Sequence, residues 1–298
     1  MTDPLEILHS PDRPIAPSPR FAAELRGRLI DALETPPDPQ ITPKGAAMTT
    51  TAVQYRNGHR QGDISYISLG IPDPARGTAF YGALLGWSFS PGHSGGGQAD
   101  EVTPQVGIFN GTRADGSVTL GATLGYRVAD VAATTLRVRA AGGTATDPEA
   151  RPYGIESSCQ DNQGLPFYLH QLLGSPTDDD GDLSNGRRHG DIGYVSLGVP
   201  VLALAEGFYG AVLGWSFSPG SSHQGRQIEG VTPMSGLFQT DTPGAVLAYR
   251  VDDIRATVAK VGELGGTASP VEERPYGLAA DNCADDQGTV FHLLQLPA

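Results

Sequence analysis

Two histidines, His170 and His292, are the side chains of this chain best suited by type to exchange a proton near neutral pH, because an imidazole titrates close to 6.5. No catalytic role is fixed by the sequence, and these two are the candidates for one. They do not stand at matching places, so they are not a repeated device, and each also reads as a satisfied pocket histidine. Several other groups are twinned. Arg151 and Arg274 each open an Arg-Pro-Tyr-Gly turn, and Arg127 and Arg250 each follow a tyrosine and precede a valine. An arginine at a cavity mouth could clamp a carboxylate with two hydrogen bonds; the plainer reading is a salt-bridged rim. Glu101 and Glu229 stand just before matching Val-Thr-Pro runs, where shared ancestry explains the match before shared function does. Cys159 and Cys283 are the two cysteines. With no Cys-x-x-Cys and no Cys/His cluster a zinc knuckle is excluded, and in a reducing cytoplasm they read as free thiols on a strand. A cysteine nucleophile would need a histidine base beside it, which the sequence does not place.

The twinning belongs to the whole chain. Gly86-Trp-Ser-Phe-Ser-Pro-Gly92 recurs as Gly214-Trp-Ser-Phe-Ser-Pro-Gly220, an offset of 214 − 86 = 128, and Asp63-Ile-Ser-Tyr-Ile-Ser-Leu-Gly70 recurs at the same offset from Asp191. The Arg-Pro-Tyr-Gly turns are 274 − 151 = 123 apart, and Asp161-Asn-Gln-Gly and Asp285-Asp-Gln-Gly are 285 − 161 = 124 apart. A repeat of over 100 residues is a domain rather than a solenoid unit. The division is an N-terminal arm at 1–61, a first domain at 62–173, a linker at 174–189 and a second domain at 190–298. In the arm, Ser18 to Leu33 reads as an amphipathic helix with Phe21, Leu25, Leu29 and Leu33 on one face, ended by Pro36, Pro37, Pro39 and Pro43. It reads as a solvated arm, or else as a partner contact. The linker carries Asp178-Asp-Asp-Gly-Asp182, but its spacing does not match an EF-hand.

Composition narrows the partners. A formal net charge of −13 repels phosphate backbones and anionic lipid, so neither nucleic acid nor membrane is expected. No apolar run approaches the ~20 residues that span a bilayer, and no basic region followed by an apolar run opens the chain, so a cytoplasmic location is expected. The expected partner is a small-molecule ligand, and tandem fusion suggests a monomer whose domains pair within the chain.

Inside one repeat, Ile64 to Ile71 alternates as a strand, Pro74 to Leu85 reads as a helix ended by Gly86, and three short strands follow. A second such unit starts with a strand at Thr123 to Val128 and a helix at Val131 to Ala141 ended by Gly142-Gly143, and it closes with a strand at Phe167 to Leu172. The fold class is therefore α+β: two domains in tandem, each of two β-α-β-β-β units, with a curved mixed sheet forming a cup and the helices outside. Ile67, Leu69, Ile71, Phe167 and Leu169 face the helices, which turns the intervening residues into the cup.

This architecture resembles the vicinal oxygen chelate superfamily of glyoxalases, bleomycin resistance proteins and extradiol dioxygenases. The segments that carry the resemblance are Pro72-Asp73 with Ala79-Phe-Tyr-Gly-Ala-Leu-Leu-Gly-Trp87, Tyr249-Arg-Val-Asp-Asp-Ile254, Leu264-Gly-Gly266 and Asp285-Asp-Gln-Gly-Thr-Val-Phe291. It covers both repeats, not the arm, and is greatest to tandem actinobacterial members. The resemblance implies metal ligands on the first, fifth and last strands of a domain. Those places hold Tyr66, Thr123 and Tyr168 in one repeat and Tyr194, Val246 and His292 in the other. Phenols bind divalent ions poorly near neutrality, and one histidine makes no site, so no metal and no cofactor is expected unless the ligand register is shifted. The expected ligand pocket comprises Tyr66, Ser68, Thr123, Arg127, Tyr168, Tyr194, Ser196, Val246, Arg250 and His292. Its tyrosines could stack on a planar ligand, or else fill the cups as core. The resulting reading is a metal-independent small-molecule binding protein. The alternatives are a lyase, isomerase or dioxygenase-type enzyme, and a non-catalytic interaction module with filled cups. Whether any reaction is catalysed stays open at this point.

Overall fold

The computed structural model describes residues 60–92, 95–112, 116, 118–173, 188–222 and 224–297. The expected arm helix and most of the acidic linker lie outside the described residues. The first repeat runs β1 (Ile64–Gly70), α1 (Pro74–Leu85), β2 (Phe89–Pro91), β3 (Gly97–Ala99), β4 (Gln105–Phe109), β5 (Gly121–Arg127), α2 (Val131–Ala140), β6 (Thr144–Ala145), β7 (Glu149–Arg151), β8 (Gly154–Gln160) and β9 (Pro166–Leu172). The second runs β10 (Ile192–Val199), α3 (Leu202–Leu213), β11 (Phe217–Pro219), β12 (Gly225–Ile228), β13 (Ser235–Gln239), β14 (Gly244–Arg250), α4 (Ile254–Glu263), β15 (Glu272–Arg274), β16 (Gly277–Ala284) and β17 (Val290–Gln295). The fold is α+β, a large curved mixed sheet that does not close, and no helix of the described residues is long and apolar enough to cross a membrane.

In each repeat the first strand sits at the centre. β1 pairs in parallel with β4 and antiparallel with β5, and β5 pairs in parallel with β9. β10, β13, β14 and β17 repeat this arrangement. A single register pair, Ala122 with Ala245, joins β5 to β14 and so joins the two half-sheets. Alternation decides the faces as expected: Ile67, Leu69, Leu124, Tyr126, Phe167 and Leu169 are buried in the core, while Tyr66, Ser68 and Tyr168 are half-buried on the opposite, concave face.

Each first helix packs on the other repeat. From α1, the Tyr81 hydroxyl donates to Asp285 Oδ2 at 3.2 Å and its ring meets Tyr249 and Phe291; from α3, Tyr209 donates to Asp161 Oδ2 at 3.0 Å and meets Tyr126 and Phe167. Trp87 and Trp215 donate across the seam to the carbonyls of Gly190 and Gly62. Aromatic pairs of this kind add about 0.5–1.5 kcal/mol each beyond the area they bury. The Asp-x-Gln-Gly motif serves the same seam. Asp161 Oδ1 accepts from the N–H groups of Gln163 and Leu165, which shapes the turn, and frees Oδ2 for Tyr209. Gln163 then grips Val201, the N-cap of α3, accepting from its N–H at 2.7 Å and donating to its carbonyl at 3.1 Å. Gln287 grips Asp73, the N-cap of α1, in the same way. The N-cap N–H of each first helix is thus satisfied from the other repeat.

Candidate functional site

The two cups differ. In the first, Tyr66 lies flat across the sheet with its hydroxyl donating to Gln98 Oε1 at 3.1 Å. It fits because β4 offers Gly107 beneath it: a Cβ there would stand 1.8 Å from the phenol oxygen. The second cup repeats the device with Tyr194, Gln227 and Gly236. At the far side of the first cup, a break in register between Ile64 and Tyr66 turns Ser65 inward. Its hydroxyl donates to the Gly125 carbonyl and lies 3.0 Å from His170 Nδ1. On the ring's other side, Nε2 is 3.4 Å from Glu156 Oε2. With the serine proton spent on Gly125 and a carboxylate on the opposite edge, this pattern is satisfied by a ring carrying a proton on each nitrogen. Glu156 also accepts from Tyr153 and faces Arg151 at 3.4 Å. Burial works to raise the Glu156 carboxyl, but hydrogen bonds from His170 and Tyr153, with the charges of His170 and Arg151, outweigh it and bring it down to about 2. Burial and the bond to Glu156 push the Tyr153 phenol up. Tyr168 stacks on His170, Tyr66 and Tyr153 meet its edges, and the histidine is 4% exposed. The first cup is a closed, charged cluster.

The second cup has carbon at each of those places. Register equates Ser65, Glu156 and His170 with Gly193, Ala279 and Leu294. The histidine stands two residues earlier: His292 occupies the place of Tyr168. Opposite it, β16 carries one residue more than β8. Ser158 alone faces Tyr168, whereas Asp281 and Asn282 together lie between the register pairs on either side of His292. Asn282 takes φ +57°, as a bulge residue does, and its backbone N–H donates to His292 Nδ1 at 2.9 Å. An N–H can only donate, so Nδ1 must offer its lone pair and the ring proton sits on Nε2. Nε2 has no partner among the described residues. Burial lowers the histidine's pKa, and the nearby Asp281 opposes that shift. Asp281 Oδ1 is 3.9 Å from Nδ1, while its Oδ2 accepts from Arg274 at 2.9 Å.

The other expected pocket residues divide as follows. Ser68, Ser196 and Val246 are half-buried on the concave faces, whereas Thr123 and Arg127 are buried in the sheet and do not line an open pocket. Arg250 pairs with Asp252 and Arg274 with Glu272 and Asp281 at the rim. Cys159 and Cys283 are free and buried. Glu156, Tyr153 as a ring over the cup, and Asp281 were not among the sequence candidates. A groove of about 350 Å³ along Glu273–Leu278 and Gln295–Pro297 contains neither histidine, and the hydrogen-bonding groups of the cups outweigh its volume as a guide to chemistry.

A divalent ion does not fit the superfamily's ligand places in either cup. The first-strand phenols are spent on glutamines, Thr123 is buried, and no three His, Cys, Asp or Glu side chains converge among the described residues.

Comparison with known proteins agrees with the architecture. Residues 66–170 match the glyoxalase-like domain family. The anthracycline biosynthesis protein DauV of Streptomyces sp. (strain C5) is 27% identical over 284 residues, covering 79% of this chain and 94% of that protein. Among solved structures, the Mn(II)-bound glyoxalase from Novosphingobium aromaticivorans superposes with a TM-score of 0.58 at 19% identity, over 79% of this chain and 82% of that one. The 2,3-dioxygenase LapB from Pseudomonas sp. KL28 gives 0.55 at 15% identity, over 81% and 95%. Residues 66–170 thus belong to the glyoxalase-like domain family, and the two repeats together share the α+β fold of the vicinal oxygen chelate superfamily.

Proposed function

We propose that the chain is a small-molecule enzyme of this superfamily, of the lyase or isomerase kind, and that it works in the second cup without a metal. The observation that carries this reading is the bond from the Asn282 N–H to His292 Nδ1. It makes His292 a fixed neutral donor. Such a ring polarises a carbonyl oxygen through Nε2–H and stabilises the enolate that forms when a neighbouring carbon loses its proton. Asp281, whose Oδ2 accepts from Arg274, is the group that takes that proton and returns it to the same or an adjacent carbon. The biosynthetic name of the DauV relative supports an enzyme over a carrier. Binding without turnover is the second reading, favoured by the first cup, where Ser65 and Glu156 occupy both nitrogens of His170.

The test is deuterium uptake from solvent into a panel of small carbonyl compounds, followed by proton NMR. Wild type exchanges at least one of them. Asp281→Asn stops the exchange, and His292→Gln, which keeps an N–H donor, slows it less than His292→Ala does. Exchange that ignores all three substitutions sinks the proposal.

A further inference from the structure

The lining of the second cup points to a class of ligand. Met234 immediately precedes β13 and is 60% exposed. It is two residues before Gly236, over which the Tyr194 phenol lies, so it shares that concave face. Its place in the first cup is held by Gln105, which pairs with Tyr66. Tyr276, on the turn above, is 49% exposed and close enough to Tyr194 to raise its pKa further, after burial. Tyr153, its counterpart, is instead drawn down onto Glu156. Where the first cup has Ser65 and His170, Leu294 covers Gly193. Of the charges nearest the second cup, Arg274 is paired with Glu272 and with Oδ2 of Asp281. What remains is mostly apolar: a thioether, two phenol rings, Val246 and a leucine, with Ser196 and the Tyr194-bound Gln227 beside them and one fixed N–H donor.

Resting on the proposal that His292 works as a neutral donor, we infer that the second cup takes an uncharged, planar, polycyclic aromatic carbonyl compound, its ring face on Met234 and Tyr276 and its ring carbonyl on His292 Nε2. A flat apolar ring suits a polarisable thioether and phenol faces, and a carbonyl without charge suits a neutral donor better than an ammonium or guanidinium would. A carboxylate would meet no unpaired cation there among the described residues.

The probe is 1,8-dihydroxyanthraquinone, titrated into the full-length protein by visible absorption, with anthracene-9-carboxylate as the charged comparison. The expected result is one quinone per chain and weaker binding of the carboxylate. Met234→Lys abolishes binding, while Gln105→Lys in the first cup leaves it intact. His292→Phe, which keeps the ring but removes the donor, weakens binding roughly 3- to 10-fold, the worth of one neutral hydrogen bond. Circular dichroism of each variant separates lost binding from lost folding, and Met234→Gln replaces Met234→Lys should the lysine variant not fold. Two quinones per chain, preference for the carboxylate, or binding indifferent to Met234 overturns the inference. Quinone binding with no deuterium exchange supports the ligand class and removes the enzyme reading. Exchange confined to non-aromatic carbonyl compounds, still dependent on Asp281, does the reverse.

Discussion

Leu294 lies over Gly193 so closely that a Cβ on the glycine would stand 3.1 Å from the leucine Cδ1. The matching pair in the first cup is Ser65 and His170, and its ring crowds Gly125, where a Cβ would stand 2.4 Å from Cε1. The two intrusions differ in cost. Leu294 can swing its methyls aside, but His170 is held on both edges. Gly193→Ala should therefore cost under about 1 kcal/mol and Gly125→Ala about 1–3 kcal/mol, measured as the shift in urea midpoint. Equal costs would mean that the His170 ring is not held.

The Glu156 carboxyl makes the first cup sensitive to acid. Its folded pKa of about 2 lies below the ordinary 4.5, so its contribution is complete above about 4.5 and lost as pH falls toward 2. Glu156→Gln should flatten the stability curve across that window and lower the plateau above it. Urea midpoints between pH 2 and 6 decide this, and an unchanged acid limb would count against the His170–Glu156 pair.

His292 should titrate below an ordinary histidine, because burial disfavours its charged form. Nitrogen-15 spectra near pH 7 should show it neutral with the proton on Nε2. A spectrum showing the proton on Nδ1 would contradict the bulge geometry.

The thiols should be silent in the native state. Burial pushes Cys159 up to about 11, against weaker opposition from Ser157 and Arg139, and Cys283 is also raised chiefly by burial. Ellman's reagent at pH 8 should titrate two thiols in denaturant and none on the timescale of minutes without it. Fast native reaction at either would show that its strand opens.

The seam between repeats should be weak to polar deletions. Tyr209→Phe removes a donor from the buried Asp161 carboxylate and should cost about 1.5–3 kcal/mol, with Tyr81→Phe similar. Gln163→Ala and Gln287→Ala should each cost about 1 kcal/mol, read from the same urea midpoints.

Much of this was legible from period and ancestry. The alternation in Ile64 to Ile71 put Tyr66 and Ser68 on the concave face, and Pro74 and Gly86 marked the first helix within its observed bounds. Alternation fails where the strand breaks step. Ser65 enters the cup through a register shift, and Asn282 meets His292 through a bulge. A trace of the bulge was present in the offsets, which change from 123 at Arg151 and Arg274 to 124 at Asp161 and Asp285: that one residue is the bulge. Glu156 carried no such signal, because its partners come from the two neighbouring strands and the turn between β7 and β8, and the sequence does not give that register. Facing alone assigns Thr123 and Arg127 to the pocket lining, but it says nothing of how deeply neighbours cover them, and both are buried.

The grip of Gln163 and Gln287 on helices of the opposite repeat sets the terms on which the duplicated halves have diverged. A change on the convex side must be answered in the other half, so those surfaces stay twinned. The cups carry no such obligation. One is sealed by the His170–Glu156 pair while its sibling carries leucine, glycine and a displaced histidine, so that a single chain presents one twinned back and two unlike palms.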